Sequence, residues 1–176
     1  MKVKLQNVRL SFPSLFNKAK FNDQETKFEA TFLLHKDEQA DLIAKIEAQL
    51  DSVAKEHFKG KVPKGLKLCL ADGDEKDYDG YENHMSLKAA SNKRPTIIDR
   101  DKTPLAEDDG VVYAGCYVNA IVDFWVQDNS WGKRINSNLL GVQFFKDGDG
   151  FGAGDTDVTN DFESFDDFED DDDGEF

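Results

Sequence analysis

Residues 111–126 alternate in character with a period of two. Every even position in this stretch is apolar, whereas the odd positions mix aromatic, polar and acidic side chains. Because successive side chains of a β-strand point to opposite faces, the pattern predicts one long strand with a core face and a mixed face. Gly115, inside the stretch, predicts a bulge or the sharp bend that closes a small barrel.

Shorter patterns predict the remaining elements. Further strands are predicted over residues 2–12, 27–34, 66–70, 85–90 and 135–145. Pro13 should end or bend the first strand because proline cannot donate to a ladder, and Phe12 continues the inward-facing pattern of that strand. One helix is predicted between Asp37, as its cap, and Gly60. Its apolar residues recur at helical spacing: Leu42, Ile43, Ile46, Leu50, Val53, Ala54 and Phe58.

These elements amount to about six strands and one helix, with no βαβ alternation. They predict a mainly β fold, an OB-fold-like antiparallel β-barrel with one inserted α-helix, and leave a β-sandwich as the alternative. The two cysteines, Cys69 and Cys116, lie in apolar alternating segments and are expected to be buried free thiols.

The charge of the chain is concentrated at one end. Residues 1–146 hold 22 acidic and 22 basic side chains, whereas residues 155–176 hold twelve acidic side chains, four phenylalanines and no Lys or Arg. Such a run cannot bury enough apolar surface to offset the entropy of ordering it. We therefore expect three parts, an OB-fold domain over 1–146, a Gly/Asp linker over 147–154 and a disordered acidic tail over 155–176.

Phenylalanines among the acids of the tail indicate docking, because a segment that only confers solubility does not need them. The tail carries negative charges and flat rings, as a nucleic-acid strand does, and could occupy a basic, aromatic groove. A flexible stretch of this length spans roughly 25 Å, enough to fold back onto its own domain or to reach a partner. A plain solubility tail remains the alternative.

Several function classes find no support in the sequence. No apolar run is long enough to cross a membrane and the first residues do not resemble a signal peptide, so a cytoplasmic location is expected. The three histidines stand apart from one another, no catalytic motif is present, and the acidic loops depart from the calcium-loop pattern. We therefore expect a binding protein that is not an enzyme and uses no metal or cofactor.

Binding of a single strand without sequence preference needs rings that stack on bases and cations that follow phosphates. The residues predicted to do so are Tyr81, Lys88, Lys93, Arg94, Tyr117, Trp125, Trp131, Lys133 and Arg134. The alternatives are that the rings pack under the helix or form a homodimer interface, and that the paired cations are ordinary solvated turns. The oligomeric state is left open.

Several blocks in order, NVRLSFPSLF, ATFLLHKD, SNKRPTIIDR, GCYVNAIVDFW and LLGVQFFKDGD, resemble a bacteriophage family of single-stranded-DNA-binding proteins over residues 3–149. The resemblance implies an OB fold that coats single-stranded DNA in phage replication, recombination or repair within the host cytoplasm. The acidic tail is similar to tails that compete with DNA and recruit replication proteins.

By this resemblance, docking of partner proteins would fall to the end of the tail, namely Phe168, Asp170, Asp171, Asp172, Asp173, Glu175 and Phe176. A second hypothesis treats the barrel as a scaffold for a protein-interaction or DNA-mimic module that acts through the tail. Nothing in the sequence separates DNA from RNA.

Overall fold

The computed structural model describes residues 2–151 and folds them into a β-barrel with one α-helix. The elements in chain order are β1 (Lys2–Ser14), β2 (Lys20–Phe21), β3 (Gln24–Glu25), β4 (Phe28–His35), α1 (Ala40–His57), β5 (Lys67–Leu68), β6 (Leu70–Asp72), β7 (His84–Ser91), β8 (Thr96–Ile98), β9 (Tyr117–Asn129) and β10 (Gly132–Lys146). Five strands close a ring in the order β1-β4-β7-β10-β9, with β9 paired back to β1. The predicted OB-like barrel is confirmed, and the β-sandwich alternative is wrong.

The core fills the inside of this ring. The predicted inward faces are confirmed on β4, β7 and β9, where alternate apolar residues such as Phe32, Leu87 and Val122 are fully buried. Their removal from water is the main favourable term in folding. The outer faces of the same strands carry the polar and charged residues that are available to a ligand.

Strands β7 and β10 close the ring through a short seam. They are paired directly only at Asn138 and Ala90, and both run in the same direction. Along the rest of the seam β5 pairs with β10 and β6 pairs with β7, so the segment around Cys69 fills the space between them. The single strand predicted over 66–70 is therefore two short strands, because each half bonds to a different neighbour.

Helix α1 packs against β9. Its predicted apolar stripe is confirmed, and the buried members are Ile43, Ile46, Leu50 and Ala54. The predicted cap is wrong, since Gln39 precedes the helix without a side-chain cap bond. The Asp37 carboxylate instead accepts a hydrogen bond from Asn83 at 2.8 Å.

The long predicted strand begins later than its pattern. Residues 111–116 form a loop, and β9 starts at Tyr117. Gly115 lies in this loop with φ +110°, a conformation that favours glycine, and a Cβ there would collide with the carbonyl oxygen of Asp149. The glycine is thus required for a close approach of two loops, not for a bend within a strand.

Within residues 2–151, no helix is long and apolar enough to span a membrane. Both cysteines are free thiols, Cys116 buried and Cys69 half-buried.

Candidate nucleic-acid interface

A groove of about 890 Å³ crosses the outer face of the barrel over β4, β7, β10 and β9. OB folds bind oligonucleotides on the face of their second and third strands, which here are β4 and β7. The rings that line it are Phe12, Tyr78, Tyr81 and Trp125; the cations are Lys27, Lys76, Lys88 and Arg134; the amides are Gln127, Asn136 and Asn138. The groove therefore combines rings, cations and hydrogen-bonding groups in one concave surface.

Three of these rings offer exposed faces. Phe12 is 57% exposed, Tyr78 51% and Trp125 39%. Phe12 and Tyr78 contact each other edge to face, with centroids 5.0 Å apart. Tyr81 is only 3% exposed and its hydroxyl lies 2.9 Å from that of Ser11, so it forms a wall of the groove instead of a free stacking face.

The prediction that Phe12 belongs to the core is wrong. The pairing of β1 with β4 shifts register between Ser11 and Ser14, and Phe12 has φ +46°. This strained conformation is uncommon for a bulky residue and turns the side chain away from the inward pattern of β1. Pro13 was the available signal, because a proline that interrupts a ladder also interrupts the alternation before it.

Lys88 and Glu29, which both line the groove, form an ion pair. The Lys88 Nζ lies 3.0 Å from the Glu29 Oε2, and the side chains are 66% and 25% exposed. Among the described residues that line the groove, Glu29 is the one carboxylate, against four cations. The groove is thus locally basic although residues 1–146 carry no net charge.

Polar groups on β9 and β10 are linked to one another. The Asn136 amide donates to Gln127 at 3.0 Å, and the Asn138 amide donates to Asp123 at 2.9 Å. Between them Ser137 is buried, and in the described part of the chain its hydroxyl has no hydrogen-bond partner.

Cys69 also lines the groove. Burial raises the pKa of its thiol to about 12, so it is a neutral thiol at physiological pH.

Residues 73–83, here called the ring loop, carry Tyr78 and Tyr81. The base of this loop is fixed by Lys36, whose Nζ lies 2.7 Å from Asp72 and 2.6 Å from Asp74. Hydrogen bonds from Lys36 lower the pKa of both carboxyls, and those same bonds raise the pKa of Lys36. The ring loop is therefore attached to the barrel by charge-assisted bonds at its base.

Of the nine residues predicted to contact DNA, the structure brings four into the groove: Tyr81, Lys88, Trp125 and Arg134. The other five line surfaces outside it. Lys27 and Lys76 are groove cations that the sequence patterns do not predict to contact DNA. Lys27 had a usable signal, since it is on the outer face of the strand predicted over 27–34.

Three of these five, Tyr117, Arg94 and Lys93, lie on other parts of the surface. Tyr117 lies under the Lys146 Nζ, which is 4.9 Å from its ring centroid. The Arg94 guanidinium stacks on Phe16 with a separation of 5.2 Å, so it is already partnered by a ring. Lys93 precedes Arg94 in the exposed turn after β7.

The remaining two lie at the tip of the β9–β10 hairpin. Trp131 is 90% exposed there, and Lys133 Nζ lies 4.0 Å from Asp128. OB folds also use the loop between their fourth and fifth strands, which is this hairpin. The matching loop between the first and second strands holds the β2–β3 hairpin with its exposed Phe21, which the sequence analysis missed.

Residues 152–176 lie outside the described residues, and with them the whole predicted tail and its docking positions. Residues 2–151 contain no group of three or more His, Cys, Asp or Glu side chains arranged to hold a metal ion.

Comparison with known proteins identifies relatives along nearly the whole chain. A sequence model of a family described as Enterobacter phage Enc34, ssDNA-binding protein, matches residues 1–175. Protein p50 of Acyrthosiphon pisum secondary endosymbiont phage 1 is 43% identical over an alignment of 164 residues, and the match covers 88% of this chain and 88% of that one.

Solved structures of an Enc34 phage protein share the fold. The single-stranded DNA-binding protein from bacteriophage Enc34 superposes with a TM-score of 0.77 at 31% identity, covering 92% of this chain and 90% of that one. The same protein in complex with ssDNA gives a TM-score of 0.77 at 33% identity, over 86% and 89% of the two chains.

Proposed function

The chain belongs to the family of the Enterobacter phage Enc34 ssDNA-binding protein, and on that basis we propose that it binds single-stranded DNA in the groove of its barrel, largely without sequence preference. A family of DNA-binding proteins agrees with the expectation of a binding protein that performs no chemistry. The relative solved in complex with ssDNA supports the choice of ligand.

The observation that carries the proposal is the groove itself. Phe12, Tyr78 and Trp125 present exposed ring faces beside four cations on the face that OB folds use for oligonucleotides. Each stack of a base on a ring contributes about 1–3 kcal/mol and tolerates every base, because every base has a π face. Four phosphate contacts would give a slope of about −3 for log affinity against log salt.

We propose that the acidic tail, residues 155–176, competes with DNA for this groove and recruits replication or recombination proteins. Twelve acids and four phenylalanines match the cations and rings of the groove in chemistry. The docking residues remain those predicted, with Phe176 and the acids before it at the end of the chain. The setting would be phage DNA replication, recombination or repair in the host cytoplasm.

The test is a salt titration of oligo-dT binding by the full chain and by a chain that ends at Gly154. We expect the shorter chain to bind more tightly, most clearly at low salt, and duplex DNA to compete poorly with both. If neither chain binds, the groove proposal fails and the DNA-mimic hypothesis, with the tail as the active part, takes its place. Equal affinities would remove the tail from the groove.

Two matched comparisons define the extent of the interface. Lys88→Gln removes a cation that lines the groove, and Lys93→Gln removes a cation from the turn after β7, outside the groove. Arg134→Gln and Lys133→Gln form the same pair on β10. Each groove variant should reduce the salt slope by about 0.7, because one phosphate contact is lost. An equal reduction by the outer variants would extend the interface to the loops, as the sequence predicted.

Tryptophan fluorescence reports on the rings one at a time. The chain has two tryptophans, so Trp131→Phe leaves Trp125 as the reporter and Trp125→Phe leaves Trp131. We expect oligo-dT to quench Trp125, since it lines the groove. Quenching of Trp131 alone would place the DNA strand on the β9–β10 hairpin and not in the groove.

Analytical ultracentrifugation of the free chain would decide whether it forms a homodimer.

A further inference from the structure

Residues 147–151, here called the clasp, are bound to the barrel at several points. The Tyr113 hydroxyl donates to the carbonyl oxygen of Gly148 at 2.9 Å. The Arg9 guanidinium donates to the carbonyl oxygen of Asp149. These contacts hold part of the segment that the sequence predicted as a linker, and they fix its path over the loop that precedes β9.

Phe151 ends the clasp against the ring loop. Its backbone amide donates to Ala114 at 3.0 Å, and its ring lies 4.0 Å from the Arg9 guanidinium carbon. The ring also covers Gly80, where a Cβ would collide with the ring carbons Cε1 and Cζ of Phe151. Gly80 has φ +85°, so the position favours glycine by conformation as well as by space.

Gly80 stands in the ring loop between Tyr78 and Tyr81. The contacts described above fix the base of the loop through Lys36, and Tyr81 is fixed through its hydroxyl. Within the loop, the Tyr78 ring contacts that of Tyr81, with centroids 5.2 Å apart. From outside the loop, Phe12 contacts the exposed tip at Tyr78, and Phe151 contacts it at Gly80. The second contact comes from the clasp.

We propose that Phe151 is a positioning residue for DNA binding, which holds the tip of the ring loop so that Tyr78 is ordered before DNA arrives. The inference rests on the proposed function. Ordering an aromatic side chain and its loop at the moment of binding subtracts from affinity, whereas a loop ordered in advance avoids that cost. Phe151 itself does not line the groove, so its effect on DNA passes through Tyr78.

The test compares Phe151→Ala, Tyr78→Ala and the double variant in the full chain. We expect Phe151→Ala to lower oligo-dT affinity about three- to tenfold, a fraction of the effect of a lost stack. In the Tyr78→Ala background the same change should have no further effect, because the ring that it positions is absent. Phe151→Leu should recover part of the affinity, and thermal unfolding should show that each variant is folded.

Amide hydrogen exchange of the free protein provides a readout that needs no DNA. Exchange over residues 76–80 should become faster in Phe151→Ala, whereas the base of the loop should be unaffected. Unchanged exchange at the tip, unchanged affinity in Phe151→Ala, or an equal loss in the Tyr78→Ala background would each overturn the inference. If the unmodified chain does not bind oligo-dT, the proposed function is refuted. Faster exchange at the tip in Phe151→Ala would then show that the clasp stabilises the ring loop without a role in DNA binding.

Discussion

Glu29→Gln should increase the affinity of the protein for single-stranded DNA. Glu29 is the one carboxylate among the described residues that line the groove, and it holds the exposed ammonium group of Lys88. A phosphate that contacts Lys88 must share this cation with the carboxylate and lies near a like charge. Glutamine keeps the shape and the acceptor oxygen but removes the negative charge.

The magnitude follows from the geometry. An exposed ion pair such as Lys88–Glu29, with its 3.0 Å separation, is worth about 0.2–1 kcal/mol. A phosphate about 6 Å from the carboxylate adds a repulsion of about 0.7 kcal/mol in a water-like dielectric, reduced further by salt. Together these amount to about 1 kcal/mol, or roughly a fivefold gain in affinity.

Fluorescence polarisation with labelled oligo-dT measures this gain. The matched control is Asp51→Asn, which makes the same change in net charge on α1, where Asp51 pairs with Lys55 at 2.9 Å. If Glu29→Gln gains no more than Asp51→Asn, the effect is one of overall charge. In the Lys88→Met background the part of the gain that comes from the ion pair should disappear, and only the part from phosphate repulsion should remain. A gain as large as in the unmodified chain would show that Glu29 does not act through Lys88.

Three further predictions address the ring, the buried hydroxyl and the acid sensitivity of the fold. Phe12→Ala should weaken oligo-dT binding about tenfold in the same assay, since one stack is worth about 1–3 kcal/mol, and unchanged affinity would remove Phe12 from the interface. Ser137→Ala should raise the free energy of unfolding by about 1 kcal/mol in urea titrations, because a buried hydroxyl without a partner is costly; a lower midpoint would reveal a partner. Lys36→Met should destabilise the protein at neutral pH but not in strong acid. Lys36 lowers the pKa of Asp72 and Asp74 in the folded state, so the two ionised carboxylates contribute fully to the free energy of unfolding above the ordinary pKa of 3.8. This contribution is lost as pH falls through the lowered pKa values of the folded state. Urea titrations at about pH 6 and about pH 2.5 measure this, and an equal deficit at both would contradict it.

The sequence predicted the barrel because period-two alternation is set by local chemistry. The buried even positions of β9, such as Val118 and Val122, agree with that pattern. The pattern did not predict where the strand begins, because residues before Tyr117 are apolar for another reason: they pack in a loop that depends on Gly115. Apolar residues indicate that a segment is buried, but they do not indicate whether its backbone is a strand or a loop.

The site was harder to predict because it is assembled across the fold. Lys88 and Trp125 are far apart in the chain, and they share a groove only because β7 and β10 close the ring. The alternation of β1 predicts a buried Phe12, because the exposure of this residue depends on a backbone shift that no periodicity encodes. The glycines and aspartates around Phe151 predict a linker, although the Phe151 ring contacts Arg9 and Gly80.

The seam between β7 and β10 links DNA binding in the groove to opening of the barrel. The two strands share one direct pairing, at Asn138 and Ala90, and both residues line the groove. A DNA strand bound across this surface would contact both β7 and β10, the two neighbouring strands of the ring that share the fewest directly paired residues. Binding would then restrain opening of the barrel, so amides beside Ala90 and Asn138 should gain the most protection when DNA is bound.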